Sequence, residues 1–373
     1  MIYFDNGATS YPKPKSVYDT VLKCIKSDCG NPGRSGHYLS QKAQEWVFKC
    51  RVEISKMINT EPENIIFSLN TTYALNAVIQ PNINKTDHVI ISDIEHNAVL
   101  RPVIATGCKY DIVDMNTDNI DRYIKDNTKA IICNYASNLL PTVNPIKKIS
   151  NAAKKHSIPL IVDGAQAMGL FDIDMENDGI DIICAPSHKG LYGIQGCGII
   201  AFSRTYINQN TPDAFIFGGT GINSKEKTMP DFMPERLEAG TLPTPAIAGL
   251  YQGIKKVNEI GTERIFNHEM NLFKRLKNNL SNMKSVDILF PDENSLPLLS
   301  FNISSVPSQD IATELDRNGI CVRGGFHCSP LNHKKSGTEK YGAVRCSFSI
   351  FNTEKEIDYF TEALYKITKT LAL

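Results

Sequence analysis

The chain has no net charge, no long apolar run, no internal repeat and no low-complexity stretch. Forty Lys and Arg balance forty Asp and Glu, so no bulk field draws the protein toward nucleic acid or an anionic membrane. No stretch approaches the roughly 18 apolar residues of a membrane span. The opening Met1-Ile2-Tyr3-Phe4-Asp5-Asn6-Gly7 has an early acid and no basic stretch ahead of an apolar one, unlike a secretory leader. The ten cysteines are scattered rather than paired, which argues against a disulfide scaffold and for a reducing, cytoplasmic setting. Cys321, His327, Cys328, His333 and Cys346 lie close in sequence, and Cys24 lies near Cys29. Neither group supplies the two matching halves of a zinc site, so no metal is expected.

At 373 residues, with 42% hydrophobic and 21% charged residues, the chain has material for two globular domains at about 100–200 residues each. Between residues 60 and 205, short apolar runs alternate with helical patterns. Strands are expected at 64–69, 87–92, 109–113, 129–134, 159–163, 181–185 and 198–202. Helices are expected at 71–80, 96–105 and 145–156. Apolar runs of this kind read as strands buried on both faces and joined by crossover helices, an α/β arrangement. Beyond Pro243 the pattern changes to long helices at 246–259 and 263–283, a strand at 298–303, a helix at 308–318, short strands near Cys321 and Val344, and a last helix from Lys355. Thr353 and Glu356 stand in capping-box spacing ahead of it. The expected division is a large α/β domain over 15–245 and a smaller α+β domain over 246–373, which includes the N-terminal segment 1–14 and carries the Cys328 loop.

In a doubly wound sheet, ligands sit beyond the carboxyl ends of strands. Asp163 ends one apolar run and is followed by Gly164-Ala165-Gln166. Taken alone it serves equally as a metal ligand, a ribose binder, a helix cap or the partner of a protonated ring nitrogen. Twenty-six residues on, Ser187-His188-Lys189-Gly190 follows another buried run. A lysine confined there suits an imine, and an acid with a lysine at neighbouring strand ends is what pyridoxal 5'-phosphate requires. Asn70-Thr71-Thr72, at a strand-to-helix junction, suits a phosphate or is an ordinary cap. His96 starts the next helix and is positioned to cover a ring. Asn138 and Gln166 lie in strand-end loops where they can reach a ring hydroxyl.

Asp163-Gly164-Ala165-Gln166, Ser187-His188-Lys189, Glu238-Ala239-Gly240-Thr241 and Arg323-Gly324-Gly325-Phe326-His327-Cys328 together resemble the class V aminotransferase superfamily. More narrowly, they resemble the group II, SufS-like cysteine desulfurases and selenocysteine lyases. Phe4-Asp5-Asn6-Gly7-Ala8-Thr9 and Glu95-His96-Asn97-Ala98-Val99-Leu100-Arg101-Pro102 are similar in the same sense, so the likeness runs from about Tyr3 to Asn352. It implies the aspartate aminotransferase-like fold, with a large, mainly parallel mixed sheet. It also implies that Lys189 is the imine lysine, Asp163 the pyridinium partner, Gln166 and Asn138 the contacts to the cofactor hydroxyl, and His96 the stacking ring. Thr71, Thr72, Ser187 and His188 match the phosphate region. Thr241 matches a threonine that reaches the phosphate of a second protomer, implying a homodimer with shared active sites. Arg345, with Arg323 as a second candidate, matches the grip on the substrate carboxylate, and Cys328 the nucleophile that takes sulfur from L-cysteine and passes it to an acceptor protein. Asn70 stands where glycine is common, and Gly324-Gly325-Phe326 departs from the usual loop before the cysteine.

Read for itself, Cys328 follows two glycines and a histidine and precedes Ser329-Pro330, which suggests a mobile loop. His327 or a nearby cation would raise its thiolate fraction. Arg345 interrupts an apolar strand pattern and suits bidentate carboxylate binding. The rival readings keep the cofactor and change the outcome (selenocysteine lyase, cysteine sulfinate desulfinase, or a transaminase or lyase that leaves Cys328 idle), or retain the fold without catalysis.

Overall fold

The β-branched runs between residues 65 and 202 form one seven-stranded sheet. In the computed structural model, which describes residues 1–293 and 295–371, its strands are β2 (Ile65–Ser68), β3 (His88–Ser92), β4 (Lys109–Val113), β5 (Thr128–Asn134), β6 (Leu160–Asp163), β7 (Ile182–Pro186) and β8 (Gly198–Phe202). A two-residue strand, β1 (Ile2–Tyr3), precedes them. The order across the sheet is β2-β8-β7-β6-β5-β3-β4. Only β8 runs against its neighbours, so β2, β3, β5, β6 and β7 all end at the same edge. Six of the seven strands are buried throughout or nearly so, as continuous apolar runs predict. The exception is β4, whose Lys109, Tyr110 and Ile112 are exposed. It is one of the two edge strands, and unlike β2 at the other edge it is not covered on both faces.

Apolar side chains cover both faces of this sheet, with Ile90, Ile131, Val162 and Ile183 on one side and Ile91, Ile132, Ile161 and Ile182 on the other. The first face is closed by the helix Tyr38–Ile58, through Val47, Cys50, Ile54 and Ile58, and by the helix Thr244–Ile260, through Ile247, Leu250 and Ile254. The second of these lies beyond the expected boundary at 245/246 yet shares the large core, so the division by core falls near Gly261.

The remaining strands are β9 (Val286–Ile288), β10 (Leu298–Ile303), β11 (Ile320–Cys321) and β12 (Val344–Ser347). Strands β12, β10 and β9 make an antiparallel sheet in that order, with the helices Thr262–Ser281 and Glu354–Leu371 packed on it through Leu276, Leu280, Phe360 and Leu364. The expected capping box is present, with the Thr353 backbone N–H donating to Glu356 at 2.8 Å. Residues 294, 372 and 373 of the expected small domain lie outside the described residues.

The N-terminal segment joins the two parts. Strand β1 pairs in parallel with β11, and Phe4 packs edge-on against Phe348. The chain then runs to the large sheet, where Ser10 N–H donates to the carbonyl of His188 at 3.0 Å.

Candidate active site

Five strands of the large sheet deliver side chains to one pocket of about 120 Å³ at their common carboxyl edge. Its wall includes Thr71, Thr72, His96, Asn138, Asp163, Gln166, His188 and Lys189. Asp163 is the last residue of β6 and is 4% exposed. Its Oδ1 accepts from the Ala165 N–H at 2.9 Å. Burial pushes the carboxyl upward in pKa, opposed by that N–H and by the Lys189 charge. Lys189 follows β7 and is held down to about 8, mainly by burial.

Asn70 caps the helix Thr71–Ile79 by accepting from Tyr73 N–H at 2.9 Å. This leaves the first N–H groups of that helix free beside the Thr71 hydroxyl, which is buried with no partner. His188 Nδ1 is a second buried atom without a partner. His96 caps the helix Asn97–Thr106, its Nδ1 accepting from Ala98 N–H at 3.0 Å. The ring proton therefore sits on Nε2, and burial with nearby cations holds the ring neutral, with a pKa of about 4. Gln166 Nε2 donates to the Gly7 carbonyl at 3.1 Å.

Arg345 stands on β12 with its guanidinium fully buried. Nη1 donates to the Asn138 carbonyl at 3.0 Å and Nη2 to Asp5, while Nε has no partner. Gly7 is packed against it, since a Cβ there would lie 3.1 Å from Arg345 Cζ. Arg323 is backbone-bridged to Arg345 and partly exposed.

The loop bearing Cys328 is pinned rather than loose. Its Cys328 carbonyl accepts from Asn97 N–H at 2.8 Å, and the His327 carbonyl accepts from Asn138 Nδ2 at 2.8 Å. His327 Nε2 donates to the Ala343 carbonyl at 2.9 Å. Both His327 and Cys328 have positive φ, +51° and +55°, a conformation that side chains resist and that such anchoring must impose. Two expectations change as a result. Where an irregular loop was expected, the chain forms a hydrogen-bonded turn. His327 is also not a cation beside the thiol, because burial holds it far below its usual pKa and its Nε2 proton is spent on Ala343. Cys328 itself is exposed and lies off the pocket wall, next to the His96 helix start.

Two phosphate candidates are not brought to the pocket. Ser187 is fully buried, with its hydroxyl donating to the Ile194 carbonyl; the turn into Lys189 consumes it, so its expected contact is a correction. Thr241 is exposed in the segment after Glu238 and does not reach this chain's own pocket. Glu238 itself is paired with Arg51 at 2.5 Å and accepts from Phe67 N–H at 2.6 Å, a structural anchor. In the sequence Asp5 and Gly7 stand out only as members of the Phe4–Thr9 motif, and their packing against Arg345 appears only in the fold. Among the described residues, no group of three or more His, Cys, Asp or Glu is arranged to hold a metal.

The donor set fits pyridoxal 5'-phosphate. An amine and a carboxylate share one wall, and two buried polar atoms without partners sit with a helix N-terminus on the phosphate side.

The chain belongs to the class-V aminotransferase family, whose model, described as Aminotransferase class-V, matches residues 2–360. Within that family its relatives include cysteine desulfurases. A probable cysteine desulfurase from Methanothermobacter thermautotrophicus is 30% identical over 380 residues, covering 98% of this chain and 94% of the relative. A probable cysteine desulfurase from Xylella fastidiosa is 30% identical over 391 residues, covering 100% and 92%. The apo structure of a cysteine desulfurase from Thermococcus onnurineus superposes with a TM-score of 0.86 at 27% identity, covering 99% of this chain and 95% of that one.

Proposed function

We propose that this chain is a pyridoxal-phosphate cysteine desulfurase that takes sulfur from L-cysteine as a persulfide on Cys328 and releases L-alanine. The observation that carries it is the shared wall of Lys189 and Asp163 in a pocket whose neighbour is the Cys328 turn. Lys189 would bind the cofactor aldehyde, Asp163 its ring nitrogen, His96 its face, Gln166 and Asn138 its hydroxyl side, and Thr71, Thr72 and His188 its phosphate. Bound there, the cofactor supplies an electron sink next to the substrate Cα.

The chain's own groups do the rest. Arg345 holds the substrate carboxylate through charge-assisted hydrogen bonds. Lys189 takes the α-proton. The Cys328 thiolate attacks the substrate sulfur, so an S–S bond forms as the Cβ–S bond breaks, and the carbon fragment takes up protons and leaves as alanine. Exposure of Cys328, with Phe326 also exposed two residues before it, supports onward transfer to an acceptor protein. Exposure of Thr241, outside this chain's pocket, supports a homodimer in which it serves the partner's site. All ten cysteines are free, in keeping with a cytoplasmic setting. Among the described residues, no helix is long and apolar enough to cross a membrane.

The test is mass spectrometry of the Cys328 peptide after incubation with cysteine. One added sulfur is expected, and Cys328→Ala should keep the visible cofactor band while losing sulfur release. Undiminished release by that variant would refute the assignment. Turnover of selenocysteine and cysteine sulfinate, measured beside cysteine, separates the rival substrates by their need for the thiol.

A further inference from the structure

Lys189 lies on the wall of two cavities. The second, of about 60 Å³, sits between the N-terminal segment, the Lys189 turn and the helix Thr262–Ser281. Gln166 and Ala165 form the partition, since both line each cavity. The site described above uses only the first, so a ligand that fills it leaves the second still in contact with Lys189.

The second cavity holds a group with no structural duty. Glu269, on the helix Thr262–Ser281, is 8% exposed and lines the cavity. Among the described residues its carboxyl has no hydrogen-bond partner and no cation. Burial drives it well above the usual carboxylate range, which favours the protonated carboxyl, a group able both to donate and to accept. A carboxyl placed so costs stability unless something occupies it. The walls are largely apolar, with Tyr192, Leu170 and Phe348, but Ser347, Ser349 and Asn6 give water enough polar partners. At ~30 Å³ per molecule, the space suits a file of about two waters.

We infer that Glu269 and the water it holds form a proton-exchange station behind Lys189, a positioning role for the substrate's α-hydrogen. Lys189 takes that hydrogen and becomes an ammonium. One of its three hydrogens passes along the water file to one oxygen of the Glu269 carboxyl, and the proton on the other oxygen, exchanged earlier with solvent, returns along the file to the Lys189 amine. Charge is conserved, and Lys189 returns a solvent-derived hydrogen to the product. This rests on the desulfurase reading, in which Lys189 moves the α-proton.

The experiment uses the cofactor-loaded enzyme, L-cysteine deuterated at Cα, and ordinary water, with deuterium counted in the alanine by mass spectrometry. The wild type should release alanine largely free of deuterium. Glu269→Gln cannot relay and should retain deuterium several-fold more often in alanine formed at comparable yield. If Glu269→Gln fails to take up the cofactor, Glu269→Met, which fills the same space, should show the same retention. Equal deuterium loss in wild type and variant overturns the station. So does a loaded variant that makes no alanine, because the station alone is dispensable for turnover. A wild type that makes no alanine indicts the desulfurase reading instead.

Discussion

Asp5 and Arg345, 340 positions apart in the chain, meet at 2.5 Å through Oδ1 and Nη2. The guanidinium is fully buried and its Nε is unclaimed; under the proposed function, a substrate carboxylate would share the guanidinium with Asp5. Arg345→Lys loses the planar fork, and losing a charged hydrogen bond of about 1.5–3 kcal/mol should raise KM roughly 10- to 150-fold. Arg345→Ala also strands Asp5 and should cost up to about 3–5 kcal/mol in urea unfolding. A KM unchanged in the lysine variant would remove Arg345 from substrate binding.

The depressed Lys189 has a direct kinetic reading. Only the neutral amine attacks an aldehyde, so cofactor uptake by the apoprotein should speed up as pH rises and level off above about 8. An ordinary lysine would keep gaining up to about 10.4. Stopped-flow absorbance across this range distinguishes the two, and a midpoint near 10 would show that Lys189 is not desolvated as described.

The unpartnered Thr71 hydroxyl gives opposite effects in two states. Thr71→Val should leave the cofactor-free protein as stable or slightly more so, because it removes an unsatisfied buried group. The same change should weaken cofactor binding by about 1–3 kcal/mol, roughly 5- to 150-fold in dissociation constant. Equal binding by valine and threonine would place the phosphate elsewhere.

His96 is neutral in the folded protein, with its pKa near 4 against about 6.5 when unfolded. Its contribution is fully present above pH 6.5. It is lost as pH falls toward 4, because the unfolded chain takes up the proton first, at roughly 1.4 kcal/mol per pH unit. His96→Asn keeps a capping side chain, and its stability should fall less steeply over that interval. The buried acids titrate in both proteins and cancel in the comparison. Parallel curves would show that the ring is solvated.

The carboxyl edge of the sheet was legible because β6 and β7 are unbroken apolar runs ending in Asp163 and just before Lys189, where burial and chemistry coincide. The helix Tyr38–Ile58 was not recognised. Its inner face carries Ser40, Arg51 and Ser55, and Arg51 is tolerable there only because Glu238, far along the chain, and the nearer Ile65 carbonyl satisfy it. The same long-range dependence hid Asp5, whose meaning appears only once Arg345 stands beside it. Glu269 gave no signal at all, since an acid on an amphipathic helix reads as solvated until packing closes over it. Two glycines suggest looseness around Cys328, while the bonds with Asn97, Asn138 and Ala343 that shape its turn are invisible in local sequence.

The threading of residues 2–13 between the two sheets has a temporal side. These residues are the earliest of the described chain to leave the ribosome, yet Ile2 pairs with Ile320, Asn6 bonds Asn352, and Lys13 donates to the His188 carbonyl. Lys13 must wait through about half of synthesis, and Ile2 and Asn6 through nearly all of it, before their partners exist. The Ile2 and Asn6 end of this seam is thus sewn last, so a bulky fusion just ahead of residue 2 should penalise maturation of the protein far more than its final resilience.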